Sequence, residues 1–183
     1  FLDIPNERSS HYMPTPRGGG VIIVVVSLAF YVFITLFLTK DLSSSFVLGA
    51  ILVAGISWLD DRYSISIVFR LAIHSLAALI LIWRCGPLDE LYLPGYGGPV
   101  SLGVIGPVIT FLWIVWLINA FNFMDGIDGI AASQAVLAGA AWLVFGGLFG
   151  IDTIYYFAGV IAFSSLGFLV HNWSPAKIFM GAV

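Results

Sequence analysis

The chain has 183 residues, of which 60% are hydrophobic and 9% charged. A soluble domain carries roughly 25% charged residues, so a water-soluble fold is excluded and an integral membrane protein remains. Seven scattered Lys and Arg against ten acidic residues leave a net charge of −3 and exclude a nucleic-acid-binding surface. The single Cys85 excludes an internal disulfide and leaves no basis for a cysteine metal site.

Continuous rather than alternating apolar runs favour helical spans over barrel strands. Residues 1–17 are polar, contain Pro5, Pro14 and Pro16, and read as a loop without signal-peptide chemistry. Residues 18–39 are uncharged up to a turn at Lys40-Asp41 and long enough to cross about 30 Å of hydrocarbon. A second span covers 42–59 and ends at Asp60-Asp61-Arg62; a third covers 64–83, with Arg70 and His74 in its first half. Residues 84–99, rich in Gly and Pro, form a loop with room for a short hairpin. Spans over 102–121, 130–149 and 154–170 complete the set, and 171–183 is a polar tail. The fold class is therefore all-α, a polytopic transmembrane helical bundle of about six spans. Trp58, Trp83 and Trp173 stand near span ends, as interfacial anchoring asks. The chain starts at Phe1 and stops inside a motif, so it reads as one membrane domain, 1–183, cut at both ends.

If the opening loop is cytoplasmic, alternation puts Asp60-Asp61-Arg62, the Asn/Asp-rich stretch 119–129 and the Lys177 tail on that same side. Counting Arg8, Arg17, Arg62, Arg70 and Lys177, five of the seven positive residues then lie cytoplasmic or near that interface. The unusual charged motifs converge on one membrane face.

Asn119, Asn122, Asp125 and Asp128 recur every three residues, which on a helix end or a tight turn puts them on one side. Two neighbouring Asp repel unless one is protonated or a cation lies between them. An all-oxygen set suits a hard cation such as Mg²⁺, with further ligands from substrate phosphates. Asp60-Asp61 adds a second pair, of which one member faces a given ligand, because adjacent helical residues point about 100° apart. A lone Asp at a membrane boundary ordinarily caps a helix. Two pairs on one face, with two Asn in register, argue for an ion site. Weaker features are Arg17 with Gly18-Gly19-Gly20, whose N–H groups could meet an anion though a flexible loop is the commoner reading, and Arg8, Ser9, Ser10 and His11. Arg70 and His74 share a face at i, i+4, where a histidine bonded within the bundle is commoner than a ligand. Asn172-Trp173-Ser174 matches a glycosylation sequon but falls on the cytoplasmic side and is set aside.

Five stretches together resemble the polyprenyl-phosphate N-acetylhexosamine-1-phosphate transferase family. They are Asp3-Ile-Pro-Asn-Glu-Arg-Ser-Ser-His11, Pro14-Thr-Pro-Arg-Gly-Gly-Gly20, Leu59-Asp-Asp-Arg62, the stretch 119–129, and His171-Asn-Trp-Ser-Pro-Ala-Lys-Ile-Phe-Met-Gly181. They fall in the family's order over essentially the whole chain, and the opening stretch is closest to the branch that initiates O-antigen in lipopolysaccharide biosynthesis. The resemblance implies a bacterial inner-membrane, multi-pass glycosyltransferase with its active site on the cytoplasmic face. It would move N-acetylhexosamine-1-phosphate from a UDP-sugar to undecaprenyl or another polyprenyl phosphate, releasing UMP, with Mg²⁺ (Mn²⁺ as a substitute) as cofactor. It implies Asp125 and Asp61 as metal ligands, Asp60, Asp61, Asp125 and Asp128 as the catalytic acids, and Asn119, Asn122, Arg17 and His11 as substrate contacts. Direct attack by the lipid phosphate and a covalent aspartyl intermediate both remain open, and a homo-oligomer is compatible.

The family carries Asp where this chain has Ala182, and a later basic, histidine-containing loop that 1–183 lacks, so the isolated fragment is expected to be inactive. Among alternatives, a UbiA-like prenyltransferase expects Asp separated by three residues, and a CDP-alcohol phosphotransferase expects Arg after Asp-Gly-x-x-Ala. A cation transporter would want its acids near the bilayer midplane.

Overall fold

The computed structural model describes residues 2–3, 14–40, 42–93, 95 and 97–181. Six helices dominate: α1 (Gly20–Phe37), α2 (Ser44–Tyr63), α3 (Ile67–Cys85), α4 (Ile105–Met124), α5 (Ile130–Phe149) and α6 (Asp152–Asn172). All six are long and apolar enough to cross a membrane. Two antiparallel ladders punctuate them, β1 (Leu2–Asp3) with β2 (Thr15–Pro16), and β3 (Glu90–Tyr92) with β4 (Pro99–Ser101). The second is the hairpin for which the 84–99 loop had room; the first adds a short ladder to a stretch expected to be loop alone.

Local chemistry sets the helix ends. Ser43 and Ser66 cap α2 and α3 by accepting from the Phe46 and Phe69 N–H groups, each at 3.4 Å. The left-handed Ser64, φ 50°, closes α2. Gly129, φ 74°, starts α5 in a conformation that glycine adopts without cost.

The helices pack as two groups. In the first, α6 lies between α5 and α1; in the second, α3 lies between α2 and α4; thinner α1–α2 and α4–α5 contacts join the groups. The α5–α6 contact is close because its residues are small. A Cβ on Gly139 would sit 2.9 Å from the Ala162 nitrogen and 3.0 Å from the Ala158 oxygen, the small-residue packing that lets membrane helices gain dispersion contacts. The ring of Tyr31 of α1 packs at an angle against Phe46 of α2 and edge-on against Phe157 of α6, with centroids 4.7 and 5.1 Å away, and ties the groups at one end. At the other end the seam between them holds the polar residues.

Candidate active site

The starts of α1, α3 and α5 and the ends of α2, α4 and α6 share one face of the bundle. The α2 helix runs through Asp60-Asp61 rather than stopping before it, so both acids sit in its last turns. The α4 helix carries Asn119 and Asn122 and ends at Asp125, its C-cap. After α6, a stretch without regular structure, 173–181, folds back across this face.

That stretch grips Asp125. Oδ1 accepts from the Met180 N–H at 3.1 Å and Oδ2 from the Gly181 N–H at 2.7 Å. Gly181 has φ 87°, and a Cβ there would collide with Oδ2 of Asp61. Only glycine lets the two carboxylates close on the same backbone turn. The Asp61 side chain is 4% exposed, and its Oδ1 lies 4.0 Å from the Arg17 guanidinium. Burial pushes the Asp125 carboxyl up from 3.8 to about 7; the Gly181 and Met180 amides pull it down, the Asp61 charge raises it and Arg17 lowers it.

Two carboxylates that repel when both ionise thus lie near one guanidinium, which favours either a retained proton or a cation. Among the described residues no three His, Cys, Asp or Glu side chains converge as a finished cage. Two carboxylates fit a hard ion such as Mg²⁺, which keeps waters and takes ligands from substrate phosphates. Beside these carboxylates, Asn122, Met180 and Gly181 join Val53, Leu117, Ile118 and Phe121 in lining a cleft of about 300 Å³.

The remaining expected residues are distributed differently. Asp60 points to the α2–α3 turn, accepting from the Ile65 N–H at 2.9 Å and from Arg70. Asp128 accepts from the Ala176 N–H at 3.1 Å. Asn119 lies outside the cleft lining, donates to the Val115 carbonyl at 2.8 Å and neighbours His74. His11 and its neighbours Arg8, Ser9 and Ser10, and Ala182, lie outside the described residues. The glycine run differs from an anion-binding loop in one respect: the Gly19 and Gly20 N–H groups already donate to the Phe179 and Met180 carbonyls, at 3.1 and 2.8 Å. His74 is buried beside the Asn119 side chain, its polar partner across α3 and α4, as expected of a histidine held within the bundle.

Sequence reasoning passed over Asn172. It is 1% exposed, its Oδ1 accepts from the Gly129 N–H at 3.1 Å, and its Nδ2 donates to the Ile178 carbonyl at 2.9 Å. It thereby locks the turn after the Asn/Asp motif to the returning stretch. Its place in the motif 171–181 was the available signal; the sequon pattern drew attention from it.

A multi-pass membrane helix bundle with paired carboxylates in the end turns of separate spans defines the class. The carboxylates lie at one rim, away from the midplane a transporter would use. The model of glycosyl transferase family 4 matches residues 43–183, and the chain belongs to that family. It is 31% identical over 98% of its length to a probable undecaprenyl-phosphate N-acetylglucosaminyl 1-phosphate transferase of Bacillus subtilis, covering 50% of that protein. It is 35% identical over 97% of its length to the decaprenyl-phosphate N-acetylglucosaminephosphotransferase of Mycobacterium tuberculosis, covering 48% of it. A phospho-N-acetylmuramoyl-pentapeptide-transferase of Streptococcus pyogenes is 28% identical over 92% of the chain and is covered to 54%. The chain spans about half the length of the curated relatives it matches.

Proposed function

We propose that this chain forms the membrane core of an enzyme that transfers N-acetylhexosamine-1-phosphate from a UDP-sugar to a polyprenyl phosphate, at the cytoplasmic face of a bacterial inner membrane. The convergence of Asp61 and Asp125 on Gly181 carries the reading, because it joins two distant motifs at one end of the bundle. The names of the relatives point to the same chemistry.

In the reaction an oxygen of the lipid phosphate forms a bond to the sugar-bearing phosphorus. The bond from that phosphorus to the bridging oxygen breaks, and its electron pair leaves with UMP. Both substrates are anionic, so the step needs charge neutralisation. Asp61 and Asp125 would hold Mg²⁺, which supplies that neutralisation when bound. Arg17 offsets part of the carboxylate charge, the cleft beside Asn122 receives the donor, and Asp128 holds the returning stretch through Ala176. The physical fit lies in Asp125, which burial leaves reluctant to ionise without a cation.

The test is a membrane assay of the full reading frame that contains this chain, with radiolabelled UDP-N-acetylglucosamine and undecaprenyl phosphate. Label should enter the lipid phase with stoichiometric UMP and stop on chelation. UMP formation without lipid label, or label transfer that chelation and Asp125→Asn leave untouched, would overturn the reading. Competition by UDP-N-acetylgalactosamine then identifies the sugar, and lipopolysaccharide profiles of a deletion strain test initiation of O-antigen.

A further inference from the structure

The two members of the Asp60-Asp61 pair do different things. Both oxygens of Asp60 are engaged inside the chain: Oδ1 by the Ile65 N–H at 2.9 Å, Oδ2 by an Arg70 guanidinium nitrogen. Asp61 turns the other way, towards Gly181, Arg17 and Asp125. Neighbouring residues of a helix diverge by about 100°, so the orientation of one sets that of the other. The Asp60 contacts lie in the last turn of α2, which stops at Tyr63 before the left-handed Ser64.

Arg70 is itself confined. One turn further along α3, His74 is fully buried and lies beside Asn119 of α4. The side chains of Arg70 and Asp60 are 21% and 14% exposed, which makes this a partly desolvated pair rather than a loose surface contact.

We propose that Arg70 is a positioning residue: by holding Asp60 against the α2–α3 turn, it fixes the rotation of the end of α2 so that Asp61 faces Asp125. Asp60 is then an internal anchor, and the cation site is built from Asp61 and Asp125. The inference rests on the cation site proposed above. It predicts that Arg70, whose guanidinium pairs with Asp60, controls metal affinity through α2.

The experiment measures Mn²⁺ binding by electron paramagnetic resonance to the purified full reading frame in nanodiscs. Asp61→Asn should weaken binding on the order of a hundredfold, and Asp60→Asn and Arg70→Gln about tenfold each, the range seen when partners of metal ligands are removed. The double variant should bind no worse than either single one, because both changes release the same restraint. Arg70→Lys should recover most of the affinity, since the contact to Asp60 uses one guanidinium nitrogen rather than a bidentate fork. An Asp60→Asn variant as damaged as Asp61→Asn, an Arg70→Gln variant with unchanged affinity, or multiplying single effects would each overturn the proposal.

A second measurement needs no metal. In a Cys85→Ser background, the maleimide reactivity of Asp61→Cys should rise when Arg70→Gln is added. An unchanged rate overturns the rotational role. Wild-type-like Mn²⁺ binding by Asp61→Asn together with that rise would sink the cation reading while leaving α2 positioning intact.

Discussion

Along the α5–α6 contact, Gly139 lies against the Ala158 and Ala162 backbone with no room for a methyl group, and cohesion comes from apolar atoms in close array. At the seam, Asp61, Asp125 and Gly181 are packed with similar closeness, yet Asp125 is held by backbone amides and the Asp61 charge opposes its ionisation. The first region gains stability from proximity; in the second, proximity has a cost that burial of Asp125 makes visible. Tight packing in a membrane protein therefore marks a scaffold where the neighbours are small and apolar, and a candidate site where they repel.

Four changes would break or sharpen that contrast. Asp125→Asn should cut lipid-linked product formation about a thousandfold or more, as loss of a main electrostatic group in a phosphoryl-transfer site does. Circular dichroism should be unchanged, because Asn still accepts from one of the two amides. Asn172→Ala strands the Gly129 N–H and the Ile178 carbonyl, costing about 3 kcal/mol at 1–3 kcal/mol per buried orphan. Thermal denaturation in detergent should register that loss, and activity should fall with it. Gly139→Val should cost about 2 kcal/mol through overpacking of the α5–α6 contact. The same melt detects it, and the activity of the folded fraction should stay near wild type. The gentlest perturbation is pH, since it removes no atom. Native Asp125 keeps its proton up to about 7 and the unfolded chain loses it near 3.8. Between those values the native state binds more protons, so the stability of the metal-free protein should fall as pH rises and level off above about 7. Mg²⁺ added at pH 8 should raise the melting temperature by more than at pH 5.

The spans were legible because twenty-residue apolar runs admit few other structures in a bilayer. Their polar ends were less so. The helix that carries Asp60-Asp61 runs on to Tyr63 because Arg70 and the Ile65 N–H satisfy Asp60, and that pairing reaches across a turn which periodicity within one helix does not describe. The rule that one member of the pair faces a ligand was available from helix geometry; which member was not. Gly18-Gly19-Gly20 invited an anion-loop reading because the partners of two of its amides lie about 160 positions later in the sequence. Asp125 stood out through its motif, while Gly181 acquires its role only once α2, α4 and the returning stretch meet.

Most of the backbone N–H groups in the irregular stretch after α6 are committed. Ala176 donates to Asp128, Phe179 to Pro16, and Met180 and Gly181 to Asp125, while Gly19 and Gly20 donate back to it. A stretch tethered at so many points has no slack. Inserting or deleting one residue between Asn172 and Gly181 would shift those partnerships together, so this apparent loop is as intolerant of a change in length as a strand in the middle of a sheet.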